Sequence, residues 1–401
     1  MKNGWTGGQY SIFRAIFGVY LFVHFAQLAP WTAEVFSSSG QLPQGAASPI
    51  LHFFPNVLAL CDTPAFVSCF VALGAGLSLL VAAGIQDRWA AVGTWYVWAC
   101  LLGRNPLIAN PSIPYVGWML LAHAALPRPC FGAWVSRGRV AGELPWRMPP
   151  ALFAAAWIVM ALGYSYSGVT KLLSPSWQDG SALLRMLGNP LGRPGGVQAV
   201  LLALPPILVQ ALTWSALSLE LLFAPLSLIR RLRPWLWGLL LAMHLLLIVT
   251  IDFADLSLGM VMLHLFTFDP AWIAPRRAGG PALLHYDGAC AFCHGFVRFV
   301  LAEDASGGAF RFAPLAAGDT LIVQTGEGRT LTRSTAVLEV LERLGGVWRP
   351  IAVAGRLVPR VLRDAGYDAF ARVRRRLFPR PEDACPVLPA ALRARFVSTP
   401  F

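Results

Sequence analysis

Apolar positions run almost unbroken through the first two thirds of this chain and alternate in short bursts through the last third. Eight apolar segments, at 9–28, 64–84, 89–105, 113–126, 150–171, 198–229, 234–251 and 255–268, have the continuity of membrane helices. The fourth and eighth are short for a full crossing, which needs about 20 residues. The sixth contains Pro205 and Pro206, which predict a kink. The first carries Arg14 and His24 and is too long and too polar for the core of a signal peptide, so a retained span is expected.

The texture changes after residue 280. Pro281 to Tyr286 reads as a strand, Asp287-Gly288 as a turn, and Ala289 to Glu303 as a helix. Phe310 to Phe312 and Thr320 to Gln324 read as strands. A turn at Gly326-Glu327-Gly328 predicts a hairpin into Thr330 to Thr332. Ser334 to Leu344 reads as a helix capped by Ser334. The expected fold is an all-α polytopic membrane domain of about eight segments over 1–275. A linker at 276–282 then leads to a small α/β domain over 283–401.

Composition supports this division. The chain is 56% hydrophobic and 13% charged, whereas soluble domains are about one quarter charged. Its net charge of +12 is read as orienting helices and meeting lipid headgroups, not nucleic acid. With the N-terminus inside, eleven basic residues of the membrane part fall on the cytoplasmic side: Lys2, Arg88, Arg128, Arg137, Arg139, Arg147, Arg230, Arg231, Arg233, Arg276 and Arg277. Only Arg104, Lys171, Arg185 and Arg193 fall opposite. This bias predicts an integral protein of a bacterial inner membrane with both chain ends cytoplasmic.

Seven cysteines are scattered along the chain, which excludes a secreted disulfide framework. Only Cys290 and Cys293 are closely spaced, in Asp287-Gly288-Ala289-Cys290-Ala291-Phe292-Cys293-His294. Between a strand and a helix, such a pair meets unpaired backbone N–H groups and the helix dipole, which favour a thiolate. Cys290, nearer the helix start, is expected to attack and Cys293 to resolve, with Asp287 and His294 tuning their protonation. Haem attachment, a zinc site completed by His294 and Cys385, and an inert structural pair are the competing readings. No metal is assigned. Cys385 reads either as a further resolving thiol or as a small buried residue.

Charges inside apolar segments need partners. Arg14 and Glu220 lie at similar depths in their segments, so an Arg14–Glu220 pair is expected. His24, His244 and His264 read as core histidines bonded to neighbouring helices. Lys171 reads as a lysine snorkelling to the interface, or as a base in a partly dry pocket.

Residues 283–397 resemble the DCC family of thioredoxin-like proteins, named for its Asp-x-x-Cys-x-x-Cys signature. Asp287, Cys290 and Cys293 supply the signature, and Val297 to Val300, Phe310 to Leu315, Ser334 to Val337 and Cys385 are also similar. The resemblance implies thiol–disulfide oxidoreductase activity with a protein or small-thiol redox partner. Leu315 lies close to Thr320, which leaves no room for a helix usual in such folds. No proline precedes the Thr320 strand, where a thioredoxin has its cis-proline.

Residues 9–275 resemble the HTTM family, the membrane domain shared with vitamin K-dependent γ-glutamyl carboxylases. Phe13 to Gly18, Ser39 to Pro43, Tyr166 to Lys171, Trp177 with Gly180, Leu219 to Leu222, and His244 to Trp272 carry it. Lys171 falls where the carboxylases have their catalytic base, so Lys171, Trp177 and Gly180 form a second candidate site. The resemblance implies a quinone or lipid-like substrate there; no cofactor is otherwise assigned. The chain reads Asn110-Pro111-Ser112 where carboxylases place a histidine after an Asn-Asn pair. The charge bias puts Lys171 near the outer face and the cysteine pair inside, about 30 Å of hydrocarbon apart. Three functions remain open: a membrane-anchored thiol–disulfide oxidoreductase, a membrane enzyme acting through Lys171, and a scaffold or transporter with a partner-binding soluble domain.

Overall fold

The computed structural model describes residues 2–43, 48, 50–51, 53–127, 132, 146–276, 279–288, 290–304, 306–315, 320–377 and 390–397. Cys385, Arg128, Arg137, Arg139 and Arg277 lie outside the described residues. The chain divides into two compact units. The first comprises 13–126 and 149–268; the second comprises 2–12, 127–148 and 269–401.

All eight apolar segments are helical. The helices are α1 (Gly7–Leu28), α2 (Pro64–Ala83), α3 (Asp87–Arg104), α4 (Ile113–Ala125), α5 (Pro150–Leu172), α6 (Pro206–Leu221), α7 (Arg233–Thr250) and α8 (Ala254–Thr267). Among the described residues only four stretches are long and apolar enough to cross a membrane: Gly7–Phe36, Pro64–Ala83, Pro150–Leu172 and Arg233–Thr250. A fifth arises if Gly196–Leu202 and α6 form one span, but these meet at 109°. The prolines expected to kink this segment sit at the break, where Pro206 opens α6.

Of the eight expected segments, four or five are thus long and apolar enough to cross among the described residues. α3 has the length but carries Asp87, Arg88 and Arg104. α4 and α8 are apolar but shorter than a full crossing. α8 contacts α4, α5 and α7 and buries Met260, Met262, Leu263, His264 and Phe266. Close helix approach depends on glycine: a Cβ at Gly168 of α5 would lie 2.4 Å from the Leu221 backbone nitrogen of α6.

The second unit holds a mixed four-stranded sheet of β1 (Ala282–Asp287), β2 (Phe310–Leu315), β3 (Ile322–Gln324) and β4 (Thr330–Thr332), in the order β2-β1-β3-β4. β1 and β2 are parallel, with Asp287 opposite Leu315; β3 is antiparallel to β1 and to β4. β1 is an inner strand and nearly all buried, including its polar His285 and Asp287. The core joins Leu284, Phe310, Phe312 and Val323 of the sheet to Val297, Val300 and Leu301 of helix α9 (Ala291–Glu303). These helical positions recur at i, i+3 and i+4, one face of a helix. The β3–β4 hairpin turns through Gly328 at φ 78°.

Helix α10 (Arg333–Leu344) starts one residue before the sequence suggested. Its cap position is Thr332, which makes no side-chain cap bond. Ser334, the expected cap, instead donates its hydroxyl to Asp364 Oδ1 at 2.5 Å. Two further helices follow, α11 (Trp348–Leu357) and α12 (Arg360–Leu377), and both pack on α10.

Candidate functional site

β1 ends at Asp287, and the chain turns through Gly288 into the N-terminus of α9. Cys290 is the N-cap residue of α9, with extended backbone (φ −106°, ψ 116°), and its Sγ accepts the Cys293 N–H at 3.3 Å. A cap position receives one of the helix's unpaired donors, and here a sulfur occupies it. That contact and the positive end of the helix dipole both point at the Cys290 sulfur. Cys290 is 1% exposed, whereas Cys293, one turn on, is half-buried. Burial pushes the Cys293 thiol up to about 12; the hydrogen bond with Cys290 adds to the rise, and the Arg374 guanidinium opposes it. Both cysteines are free thiols.

Asp287 is buried, and its Oδ2 lies 3.7 Å from Nη2 of Arg374, a buried residue of α12. Its backbone carbonyl accepts the Cys290 N–H at 3.3 Å. Donor atoms of Asp287, Cys290 and Cys293 all lie within 4.8 Å of one another. Among the described residues these are three donors, one fewer than a structural zinc site uses; Cys385, the other cysteine of that reading, lies outside the described residues, and the Arg374 guanidinium stands beside the carboxylate. His294 turns away from the sulfurs: its Nε2 lies 2.8 Å from the Gly288 carbonyl, and its ring meets the edge of Tyr286 at 5.5 Å. It thus braces the loop that carries Cys290.

The sequence pattern missed α12, which lies beside the site. Tyr367, Phe370 and Arg374, at i, i+3 and i+7, share one face of the helix. The Tyr367 hydroxyl accepts the Leu321 N–H at 2.9 Å, just before β3. Phe370 packs edge-on against Phe292 inside the Cys-x-x-Cys at 4.7 Å. Arg374 reaches Asp287. The only signal was the arginine-rich run from Arg372 to Arg376.

The second candidate site is arranged differently from expectation. Glu220 pairs with Lys171, whose Nζ donates to both carboxylate oxygens at 2.5 Å. Lys171 also lies 4.8 Å from the centre of the Trp177 ring. Gly180 adopts φ 79° beside Gln210 and Trp214. Arg14 does not meet Glu220. Its Nη1 donates to the Val81 and Ala82 carbonyls at 2.7 and 2.8 Å, at the C-terminal end of α2. The last carbonyls of a helix lack partners within it and carry partial negative charge, so they attract a guanidinium.

The three histidines all bond to neighbouring helices. His24 Nδ1 lies 2.9 Å from Asp255 Oδ1. The Tyr164 hydroxyl lies 2.9 Å from His244 Nε2 and 2.7 Å from His264 Nε2. Among the described residues, the cysteine site supplies the one cluster of three or more potential metal donors.

A Cys-x-x-Cys capping the helix after the central strand of a β2-β1-β3-β4 mixed sheet defines a thioredoxin-like redox domain. Residues 284–380 match the family model described as DCC1-like thiol-disulfide oxidoreductase, a match that lies wholly within the second unit. Over 130 residues the chain is 28% identical to "Uncharacterized protein YuxK" of Bacillus subtilis (strain 168), an alignment spanning 29% of this chain and 93% of that protein. No solved structure matches the chain. The C-terminal part is thus a DCC1-like thiol-disulfide oxidoreductase domain carrying the Cys290–Cys293 pair, on a chain with several apolar helices.

Proposed function

We propose that the chain is a membrane-anchored thiol–disulfide oxidoreductase facing the cytoplasm, in which Cys290 attacks and Cys293 resolves. The observation that carries this is the asymmetry of the pair. The Cys290 sulfur sits on the helix N-terminus and accepts an N–H, while the Cys293 thiol is held protonated. In the reductive direction the Cys290 thiolate attacks one sulfur of a substrate disulfide. A mixed disulfide forms, and the other substrate sulfur leaves as a thiolate and takes a proton. Cys293 then loses its proton and attacks Cys290 Sγ. The Cys290–Cys293 disulfide closes and the second substrate thiol departs. Two electrons pass to the substrate, and a small thiol or protein dithiol returns them to the domain.

The cytoplasmic side follows from the arginine bias, and in that compartment a dithiol is the expected resting state. The test is the redox state of Cys290 and Cys293, read by alkylation in intact cells and in inverted vesicles. The proposal expects labelling by an impermeant reagent in inverted vesicles and a pair that cycles when disulfide substrate is added. A pair that never cycles, or that labels only from outside, overturns it.

A second reading concerns the membrane unit and rests on the Lys171–Glu220 pair beside Trp177. Charges buried in a lipid-facing bundle mark functional sites by default, and the likeness to carboxylase membrane domains makes a quinone or lipid-like molecule the substrate class for Lys171. The same pair equally suits a purely structural role, because together the two charges are neutral. A scaffold reading predicts that Cys290→Ser leaves the cellular phenotype unchanged.

A further inference from the structure

The turn between α11 and α12 exposes large apolar side chains that no buried surface requires. Leu357 is 83% exposed, Val361 79%, Leu362 64% and Val358 44%. These four residues flank Pro359 at the junction of the two helices, within six positions of one another. Scattered exposed apolar residues are ordinary, but a contiguous patch rimmed by polar residues marks an interaction surface.

The rim is basic. Arg356, Arg360 and Arg363 flank these residues along the chain, and the segment from Trp348 to Leu377 holds eight arginines against two aspartates. Arg356 is partly neutralised by Glu342 at 3.0 Å and Arg360 by Asp364 at 3.2 Å. The balance stays positive. This charge disfavours a second copy of the chain, whose identical patch would bring like charge against like.

The start of α11 is tied to the start of α1. Gln9 Oε1, in the first turn of α1, accepts the Val347 N–H at 2.8 Å. The buried Glu303 carboxylate, at the end of α9, accepts the Trp348 indole N–H at 2.7 Å and the Gly8 N–H at 2.7 Å, and also bonds the Thr6 hydroxyl. Thus α11 begins beside the first turn of α1, within the second unit. Its ten residues then carry Leu357 about 13 Å from Trp348. The interfacial layer on each side of a bilayer's hydrocarbon is roughly 5–8 Å deep. A helix that starts beside the first turn of α1 and ends in exposed apolar residues among arginines has the features of an interfacial anchor.

We infer that the α11–α12 tip docks into the headgroup layer of an anionic lipid surface, with Leu357, Val361 and Leu362 inserted and the arginines on lipid phosphates. Docking would restrain the redox domain at two points, through α1 and through the tip. It would thereby limit the directions from which a substrate disulfide can approach Cys290.

The test uses the full chain in nanodiscs of phosphatidylcholine with or without phosphatidylglycerol. A genetically encoded spin label is placed at Val361 and, as a control, at Glu327 of the β3–β4 turn. Collisions with oxygen, which partitions into lipid, are compared with collisions with a water-soluble nickel chelate. At Val361 oxygen access should exceed nickel access in the anionic discs, and the preference should weaken without phosphatidylglycerol. Glu327 should stay nickel-accessible in both. Adding Leu357→Asp and Leu362→Asp, both on the surface, should return Val361 to nickel while leaving disulfide exchange intact. Free nickel access at Val361 in anionic discs would overturn the inference. So would shielding from both reagents, which means a protein partner, or spin–spin broadening, which means a second copy.

Discussion

Exposure and acidity make opposite predictions for which cysteine of the pair reacts first. By exposure, Cys293 should be modified before Cys290, which is 1% exposed. By acidity Cys293 is held back, and the size of that effect follows from the structure. Raising the Cys293 thiol from 9.0 to about 12 cuts its thiolate population at neutral pH about a thousandfold. A more basic thiolate is a better nucleophile, with a Brønsted slope of about 0.4–0.5, which returns roughly 16- to 30-fold. Cys293 should therefore alkylate about thirty- to sixty-fold more slowly than an ordinary exposed thiol. The assay is iodoacetamide labelling of the fully reduced chain, with each cysteine quantified by peptide mass spectrometry against pH. Cys290 should label first, and Cys293 should keep accelerating beyond pH 10. Cys293 labelling first, with its rate levelling off near pH 9, would refute the reasoning.

Three further outcomes follow from the geometry. Arg374→Met takes the guanidinium from beside buried Asp287, and breaking a buried pair costs about 3–5 kcal/mol. It also removes the one influence that lowers the Cys293 thiol, so mixed disulfides should resolve more slowly; Arg374→Lys should recover part of both effects in denaturant titration and exchange kinetics. In the helical unit, Lys171→Met should destabilise by a similar amount, and combining it with Glu220→Gln should cost less than the sum, with coupling of about 0.5–3 kcal/mol. Arg14→Met should instead be additive with Glu220→Gln, because the two side chains have separate partners. Finally, burial lifts the Glu303 carboxyl above its ordinary value even though Thr6, Gly8 and Trp348 bond to it. A carboxyl raised on folding adds stability that is complete below its unfolded value and is lost as pH rises through the folded one. Hydrogen-exchange protection of α9 should fall across that window, and Glu303→Gln should remove the dependence.

Much of the redox site could be read from residue order alone. The apolar run of β1, the Asp287-Gly288 turn and the Gly-Glu-Gly hairpin are local signals, and local structure follows them. α12 was not legible. Its inward face consists of Tyr367, Phe370 and Arg374, two aromatics and a cation, so it lacks the apolar stripe that announces a buried helix. Arg374 was missed for the same reason. The partner of Glu220 was misjudged because depth along a segment ignores the free carbonyls at a helix end, which took Arg14. Hydropathy registers apolarity without distinguishing lipid from a neighbouring helix, so it marks eight apolar segments, of which four or five are long and apolar enough to cross among the described residues; α8 is short and buries much of its apolar surface. Ser334 carries a residue type suited to capping, but a long-range partner, Asp364, claimed its hydroxyl.

The central claim, that Cys290 attacks and Cys293 resolves, is tested most directly by trapping. A Cys293→Ser chain exposed to disulfide-bearing protein or to oxidised small thiol should accumulate a mixed disulfide on Cys290, visible by mass spectrometry and released by reductant. Cys290→Ser should trap almost nothing. Accumulation on Cys293 in the Cys290→Ser chain, with none on Cys290 in the converse variant, would contradict the assignment.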